Sequence, residues 1–153
     1  MKKTVPYIIS LKNNRVVSMM TAYDYPTANA VSEAEIDIIL VGDSLAQVVL
    51  GHEDTLSVTV DEMLHHVKAV TNAKPTSLVV ADMPYLSYHI NVSDSLKNAG
   101  RFIQEGKADA VKVEGGLKRK EVVSALIDAE IPVMGHLGLT PQSKNLMGGY
   151  KIQ

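Results

Sequence analysis

Ile38-Ile39-Leu40-Val41-Gly42-Asp43-Ser44-Leu45 decides the fold of this chain. Four apolar residues run without alternation, the pattern of a parallel strand covered on both faces. The run then stops at a glycine, a carboxylate and a hydroxyl. A carboxylate at the end of a buried strand is costly to desolvate unless something pairs with it. Asp43 is therefore read as facing a metal and a small anionic substrate, with partners supplied from elsewhere in the chain.

Outward from that strand, the pattern alternates between strand and helix. Val16 to Thr21 is a strand candidate ending in Ala22-Tyr23-Asp24, and Pro26 suits the first turn of a helix reaching Glu35. Ala28, Val31 and Ala34 form its inner stripe. After the second strand, Asp37 to Gly42, a long loop carries Gln47, Gly51, His52, Glu53 and Asp54. Thr59-Val60-Asp61-Glu62 has capping-box spacing, and Val60, Met63, Leu64, Val67 and Val70 follow at helical period. Ser77 to Ala81 is the third strand, ending in Asp82-Met83-Pro84. Ser93 caps the next helix, with Leu96, Ala99 and Ile103 inward. Ala108 to Val113 is the fourth strand and runs into Glu114-Gly115-Gly116. A helix over Lys118 to Ala129 and a fifth strand, Ile131 to Met134, lead to Gly135-His136-Leu137-Gly138. Thr140 to Gln153 reads as a loop without a helix.

The chain has 153 residues, enough for one core, and no linker divides it, so residues 1–153 are read as a single domain. A net charge of −2 leaves no basic footprint for nucleic acid. No cysteine is present, which excludes disulfides and thiolate chemistry. No apolar run approaches the ~20 residues of a membrane span, and the basic start is followed by too short an apolar run for a signal peptide. The expectation is a cytoplasmic protein.

Strand–helix alternation implies parallel strands with right-handed crossovers. An open doubly wound sheet announces a Gly-rich turn after its first strand, and Thr21-Ala22-Tyr23-Asp24 has no glycine. A β/α barrel of the TIM type is favoured, because polar residues recur after every strand and barrel sites are built from strand C-termini. Side by side, those ends give Tyr23 and Asp24, Asp43 and Ser44, Asp82, Lys112 and Glu114, then His136. Lys112 and Glu114 share one face of their strand, with Val111 and Val113 on the other. Carboxylates around a compact site suit Mg²⁺ better than zinc.

Blander readings compete at each position. A lone Asp at a strand end is more often a cap or turn former. Lys112 with Glu114 also fits a simple ion pair, and His136 between glycines fits a satisfied loop histidine. Recurrence at successive strand ends favours the functional reading. Elsewhere the bland reading prevails. His65-His66 reads as a solvated face, Lys118-Arg119-Lys120 as a solvated helix start, and Gly115-Gly116 as a turn. Tyr85 and Tyr88 fit pocket lining and packing equally.

Several segments occur together in a familiar order. They are Thr21-Ala22-Tyr23-Asp24, Val41-Gly42-Asp43-Ser44-Leu45, Ala81-Asp82-Met83-Pro84, Val111-Lys112-Val113-Glu114-Gly115-Gly116 and Gly135-His136-Leu137-Gly138-Leu139-Thr140-Pro141-Gln142-Ser143, with Gly148-Gly149-Tyr150-Lys151 behind them. Over nearly its whole length the chain resembles the 3-methyl-2-oxobutanoate (ketopantoate) hydroxymethyltransferases. The resemblance implies a β/α barrel, Mg²⁺, a cytoplasmic homo-oligomer (commonly a decamer) and a place in pantothenate biosynthesis. It implies hydroxymethyl transfer from 5,10-methylenetetrahydrofolate to 3-methyl-2-oxobutanoate, a 2-keto acid. It places Asp43, Asp82 and Glu114 at the metal and Asp43, Ser44, Asp82 and Lys112 at the keto acid. His136 lies in the site without an assigned role.

The resemblance also implies eight strands in ~250 residues, of which this sequence supplies the first five strand–helix units. The family's general base, a Glu on a later strand, has no counterpart among these residues. Two other readings follow. One is an inactive fragment that binds Mg²⁺ and keto acid or joins a separate remainder. The other is a Mg²⁺-dependent lyase or mutase of the phosphoenolpyruvate mutase–isocitrate lyase kind, against which the His136–Ser143 segment and the lack of cysteine argue.

Overall fold

The computed structural model describes residues 1–150, so Lys151 of the last motif and the end of the expected tail loop lie outside the described residues. Five parallel strands pair in chain order: β1 (Met19–Thr21), β2 (Ile38–Val41), β3 (Leu78–Asp82), β4 (Ala110–Glu114) and β5 (Val133–His136). Helices α1 (Val5–Ser10), α2 (Tyr25–Glu33), α3 (Leu45–Val48), α4 (Val60–Asn72), α5 (Val92–Gln104), α6 (Lys120–Asp128) and α7 (Lys144–Met147) complete the chain.

The strand side chains sort into two faces. Ile39, Val41, Val79, Ala81, Val111 and Val113 join one buried cluster with Val31, Met63, Val67, Phe102 and Leu126 from α2, α4, α5 and α6. Ile38, Leu78, Val80 and Ala110 form a second cluster on the opposite face, closed by Val5 and Ile8 of α1. The crossover helices thus cover one face only. A doubly wound sheet carries helices on both faces and reverses its strand order. Sequential order with one-sided crossovers is the plan of a β/α barrel, and this chain is an arc of one.

Local chemistry explains most boundaries. Asp24 caps α2, accepting from Thr27 N at 2.8 Å. The Thr59–Glu62 capping box is present in both directions, at 3.2 and 2.8 Å. Asn91, not Ser93, caps α5, because its side chain accepts from Asp94 N at 2.8 Å and the helix starts earlier than predicted. The face of α5 shifts accordingly: Ser95, Ala99 and Phe102 are buried, while Leu96 and Ile103 are only half-buried. Ala34 is exposed, since α2 ends at Glu33. The predicted tail loop instead holds a 3-10 turn, Pro141–Ser143, followed by α7. No described helix is long and apolar enough to cross a membrane.

Two features of the N-terminal end of the sheet carry stability. Asp37, 1% exposed, accepts from both guanidinium nitrogens of Arg15 at 2.7 Å and from Ser18 N at 3.0 Å, with Lys3 Nζ at 3.3 Å. Strand β1 begins only at Met19, because Ser18 N is turned to Asp37. Further, each crossover helix gives way to its strand through a non-glycine residue in the left-handed region: Glu35, Lys74, Lys107 and Glu130, with φ of 58°, 49°, 57° and 61°. L-residues resist that conformation, whereas glycine adopts it freely. Lys74→Gly, at an exposed position, will therefore raise stability by up to about 1 kcal/mol, the relief exceeding the entropic cost of glycine. Thermal unfolding of the variant checks this, and an unchanged or lower midpoint refutes it.

Candidate active site

The C-terminal rim of the sheet gathers the polar residues. Asp43 follows β2 through Gly42, Asp82 ends β3, Lys112 lies in the middle of β4 and Glu114 ends it, and His136 ends β5. Strand register sets their neighbours: Asp82 pairs with Lys112 and Glu114 with His136. Asp43, Asp82, Lys112 and Glu114 are all buried, at 4%, 2%, 7% and 4% exposure. Four ionisable groups at that depth demand mutual compensation.

Compensation is partial. Lys112 Nζ lies 2.8 Å from Asp82 Oδ1, off the direction of a good hydrogen bond, so this oxygen has an ion partner but no hydrogen bond. Asp82 Oδ2 accepts from Asp43 N at 3.1 Å. Among the described residues Glu114 Oε2 is buried without a hydrogen-bond partner, and His136 Nδ1 lies 3.9 Å from it. Burial pushes the Asp82 carboxyl up to about 7, with Lys112 opposing and Asp43 adding to the rise. Burial likewise raises Glu114 to about 7, again against Lys112. His136 is pushed down by burial and by Lys112, whose ammonium is 3.4 Å from Nδ1. A neutral ring accepts from Lys112 there.

Ser44 is half-buried, and its hydroxyl meets Tyr23 OH at 2.8 Å. Tyr88 and Gln142 complete the constellation. Gln142 Nε2 donates to Asp43 Oδ2 at 2.9 Å and Met83 O at 3.0 Å, while Tyr88 OH donates to Gln142 Oε1 at 2.6 Å. Gln142 belongs to the tail expected to be a plain loop, and only its place in a quoted motif marked it. Two bland expectations also change. His66 is half-buried, with Nδ1 2.7 Å from Tyr23 O, while His65 is exposed. Arg119 is not simply solvated: its guanidinium lies 5.6 Å from the centre of the Tyr88 ring. Its side chain crosses Gly115, where a Cβ would fall 3.2 Å from Arg119 Cγ.

Asp43, Asp82, Glu114 and Lys112 carry more negative than positive charge, and two buried carboxylate oxygens, Asp82 Oδ1 and Glu114 Oε2, have no hydrogen-bond donor among the described residues. A hard cation fits that donor set. Among the described residues no three carboxylate or imidazole groups are drawn together as a closed metal cage. Mg²⁺ does not require one, since it takes one or two carboxylates and completes its shell with water and substrate oxygens.

A parallel β/α arc with an acidic, lysine-bearing rim at its strand C-termini defines a barrel-type enzyme scaffold. The ketopantoate hydroxymethyltransferase family model matches residues 2–153, and the chain belongs to that family. It is 57% identical over 142 residues to the 3-methyl-2-oxobutanoate hydroxymethyltransferase of Syntrophomonas wolfei, covering 93% of this chain and 51% of that one. Identity to the enzyme of the same name from Clostridium kluyveri is 56% over 153 residues, covering 99% and 55%. The chain thus spans about half the length of these relatives. Among solved structures it resembles phosphonopyruvate hydrolase (TM-score 0.69, 15% identity, covering 88% of this chain and 52% of the other). It also resembles 2,3-dimethylmalate lyase of the PEP mutase/isocitrate lyase superfamily (TM-score 0.62, 17% identity, 88% and 52%). At that identity the likeness is one of fold.

Proposed function

We propose that this chain carries the cation- and keto-acid-binding side of a hydroxymethyl transfer. In that reaction the one-carbon unit of 5,10-methylenetetrahydrofolate passes to 3-methyl-2-oxobutanoate, in pantothenate biosynthesis. The observation that carries the reading is the buried cluster of Asp43, Asp82 and Glu114 around Lys112, with Glu114 Oε2 left without a hydrogen-bond partner among the described residues. The relatives' shared name and the phosphonopyruvate hydrolase solved with oxalate and Mg²⁺ on the same fold support it.

Asp43, Asp82 and Glu114 would hold Mg²⁺, directly or through water. When bound, the ion supplies Lewis acidity toward a keto oxygen. Lys112 adds fixed positive charge where that oxygen gains negative charge. Ser44, oriented by Tyr23, offers a hydroxyl to the substrate carboxylate. A base removes the proton from the branched carbon beside the carbonyl, and that carbon then bonds to the one-carbon unit. Water supplies the hydroxyl oxygen, both carbon–nitrogen bonds that hold the one-carbon unit to folate break, and the two folate nitrogens take up the proton from the branched carbon and one from water. None of Asp43, Asp82 and Glu114 is assigned as the base, a role that the family resemblance gives to a Glu on a later strand. The same reading has the whole protein working as a cytoplasmic homo-oligomer with small-molecule partners only.

The test is proton exchange at the branched carbon, followed by NMR in D₂O with 3-methyl-2-oxobutanoate and Mg²⁺. The chain is mixed with a polypeptide covering the remaining half of the Clostridium kluyveri relative. Exchange that needs both polypeptides and Mg²⁺ is the expected result. No exchange from the assembled halves, both folded, counts against the reading.

A further inference from the structure

We infer that Gln142 is a positioning residue that sets how Asp43 is presented to a cation, and that Tyr88 fixes which end of the Gln142 amide faces Asp43. The inference rests on the reading of the rim as a Mg²⁺ site.

Gln142 sits in the 3-10 turn after β5 and is 5% exposed. Two acceptors face its amide nitrogen, Asp43 Oδ2 at 2.9 Å and Met83 O at 3.0 Å. An amide NH₂ has two hydrogens, so both are used. Its oxygen accepts from Tyr88 OH at 2.6 Å. Tyr88 is 1% exposed, and its own oxygen lies 3.3 Å from the Glu114 N–H, which donates to it. A phenol has a single hydrogen. Two acceptors face that hydrogen, Gln142 Oε1 at 2.6 Å and Glu114 O at 3.4 Å, and the much shorter contact directs it to Gln142. The polarity of the chain is thereby set: Glu114 N–H to Tyr88, Tyr88 O–H to Gln142, Gln142 N–H to Asp43. Turned over, the amide would set its oxygen against a carboxylate and a carbonyl.

This is more than a loop staple. Gln142 is the only side-chain donor to Asp43 among the described residues, and it engages one oxygen. The other oxygen receives no hydrogen bond from the described residues and is held in a fixed direction. One amide on the β5 loop thus ties the ends of β2, β3 and, through Tyr88, β4. Partners of this kind behind a ligand typically contribute about 10–100-fold to metal affinity.

Isothermal titration of the whole 153-residue chain with Mg²⁺ alone tests the inference. Gln142→Ala will weaken the Mg²⁺ dissociation constant about 10-fold. Tyr88→Phe will weaken it by a smaller factor, because the amide loses its orientation but not its place. In an Asp43→Asn background, Gln142→Ala will add no further loss. A purely structural role would lower the unfolding temperature and leave the affinity of the folded protein unchanged. Parental affinity in folded Gln142→Ala overturns the inference while leaving the rim as a Mg²⁺ site. If Gln142→Ala does not fold, the near-isosteric Tyr88→Phe decides, and parental affinity there overturns it. No uptake by the parent chain overturns the rim reading and this inference with it.

Discussion

Lys112→Met will destabilise the Mg²⁺-free chain by about 3–5 kcal/mol near pH 8 and by much less near pH 5. Lys112 is 7% exposed and, among the described residues, is the single ammonium against Asp82, at 2.8 Å. Its removal leaves Asp43, Asp82 and Glu114 buried together without a counter-charge. A broken buried pair costs more than the pair was worth, because the remaining charge keeps its desolvation penalty. The pH dependence follows from the direction of the shifts. Asp82 and Glu114 are raised to about 7 even with Lys112 present. The native state therefore holds protons that the unfolded chain releases. Their contribution to stability is fully present below the unfolded value near 4 and is lost as pH rises through about 7. Without Lys112 the loss deepens and reaches higher pH, whereas near pH 5 Asp82 and Glu114 are protonated and need no ammonium. Urea unfolding at both pH values measures this, and equal losses at the two would mean that Lys112 acts through packing alone. In the two-polypeptide exchange assay the same variant will lose about 10²–10³-fold in rate, the usual cost of removing one donor to a developing oxyanion.

Much of this arrangement is legible in the sequence, and the reason is period. The unbroken run at Ile38–Val41 announces a strand buried on both faces, and the alternation at Val111, Lys112, Val113 and Glu114 assigns each side chain to a face. Polar residues at successive strand ends must then meet at one rim once the strands are parallel. What escapes is chemistry without period. Helix α1 is a single apolar turn behind Thr4, too short to stand out as a helix, and becomes one because it closes the inner face over Ile38 and Val80. Gln142 lies 99 residues from Asp43 in sequence, and its role arises only when the β5 loop folds back over the β2 end. Arg119 and His66 looked solvated because charge along a helix face usually is; one crosses a tyrosine ring and the other meets a backbone carbonyl. The rim follows from pattern, while the polar partners behind it depend on tertiary geometry.

Asp37→Asn will cost about 3 kcal/mol at neutral pH and will flatten the acid limb of the stability profile. Asp37 stands at the N-terminal end of β2, opposite Asp43, and its surroundings reverse those of the rim. Arg15 grips both oxygens at 2.7 Å, Ser18 N donates at 3.0 Å and Lys3 approaches at 3.3 Å. These donors, Arg15 foremost, outweigh burial and hold the carboxyl well below the usual carboxylate range. The sign is therefore opposite to that of Asp82. Stability from Asp37 is present above the unfolded value near 4 and is lost as pH falls through the folded one. The cost sits at the low end of the range for buried pairs because Arg15 is 45% exposed and recovers water when released. Urea midpoints taken between about pH 7 and pH 2.5 will fall steeply below about pH 4 in the parent and less steeply in Asp37→Asn, where the more exposed carboxylates held below their usual range, among them Asp24 and Glu62, still lose their part. An acid limb unchanged by the substitution would show that another carboxylate governs it. Mg²⁺ affinity of the folded variant will match the parent, since Asp37 lies at the far end of the strand from the rim. In β/α barrels the C-terminal ends of the strands carry chemistry and the N-terminal ends carry stability. Strand β2 joins the two: its first acid is stabilised by surplus donors, and the acid beyond its last residue lies among carboxylates that a cation would relieve.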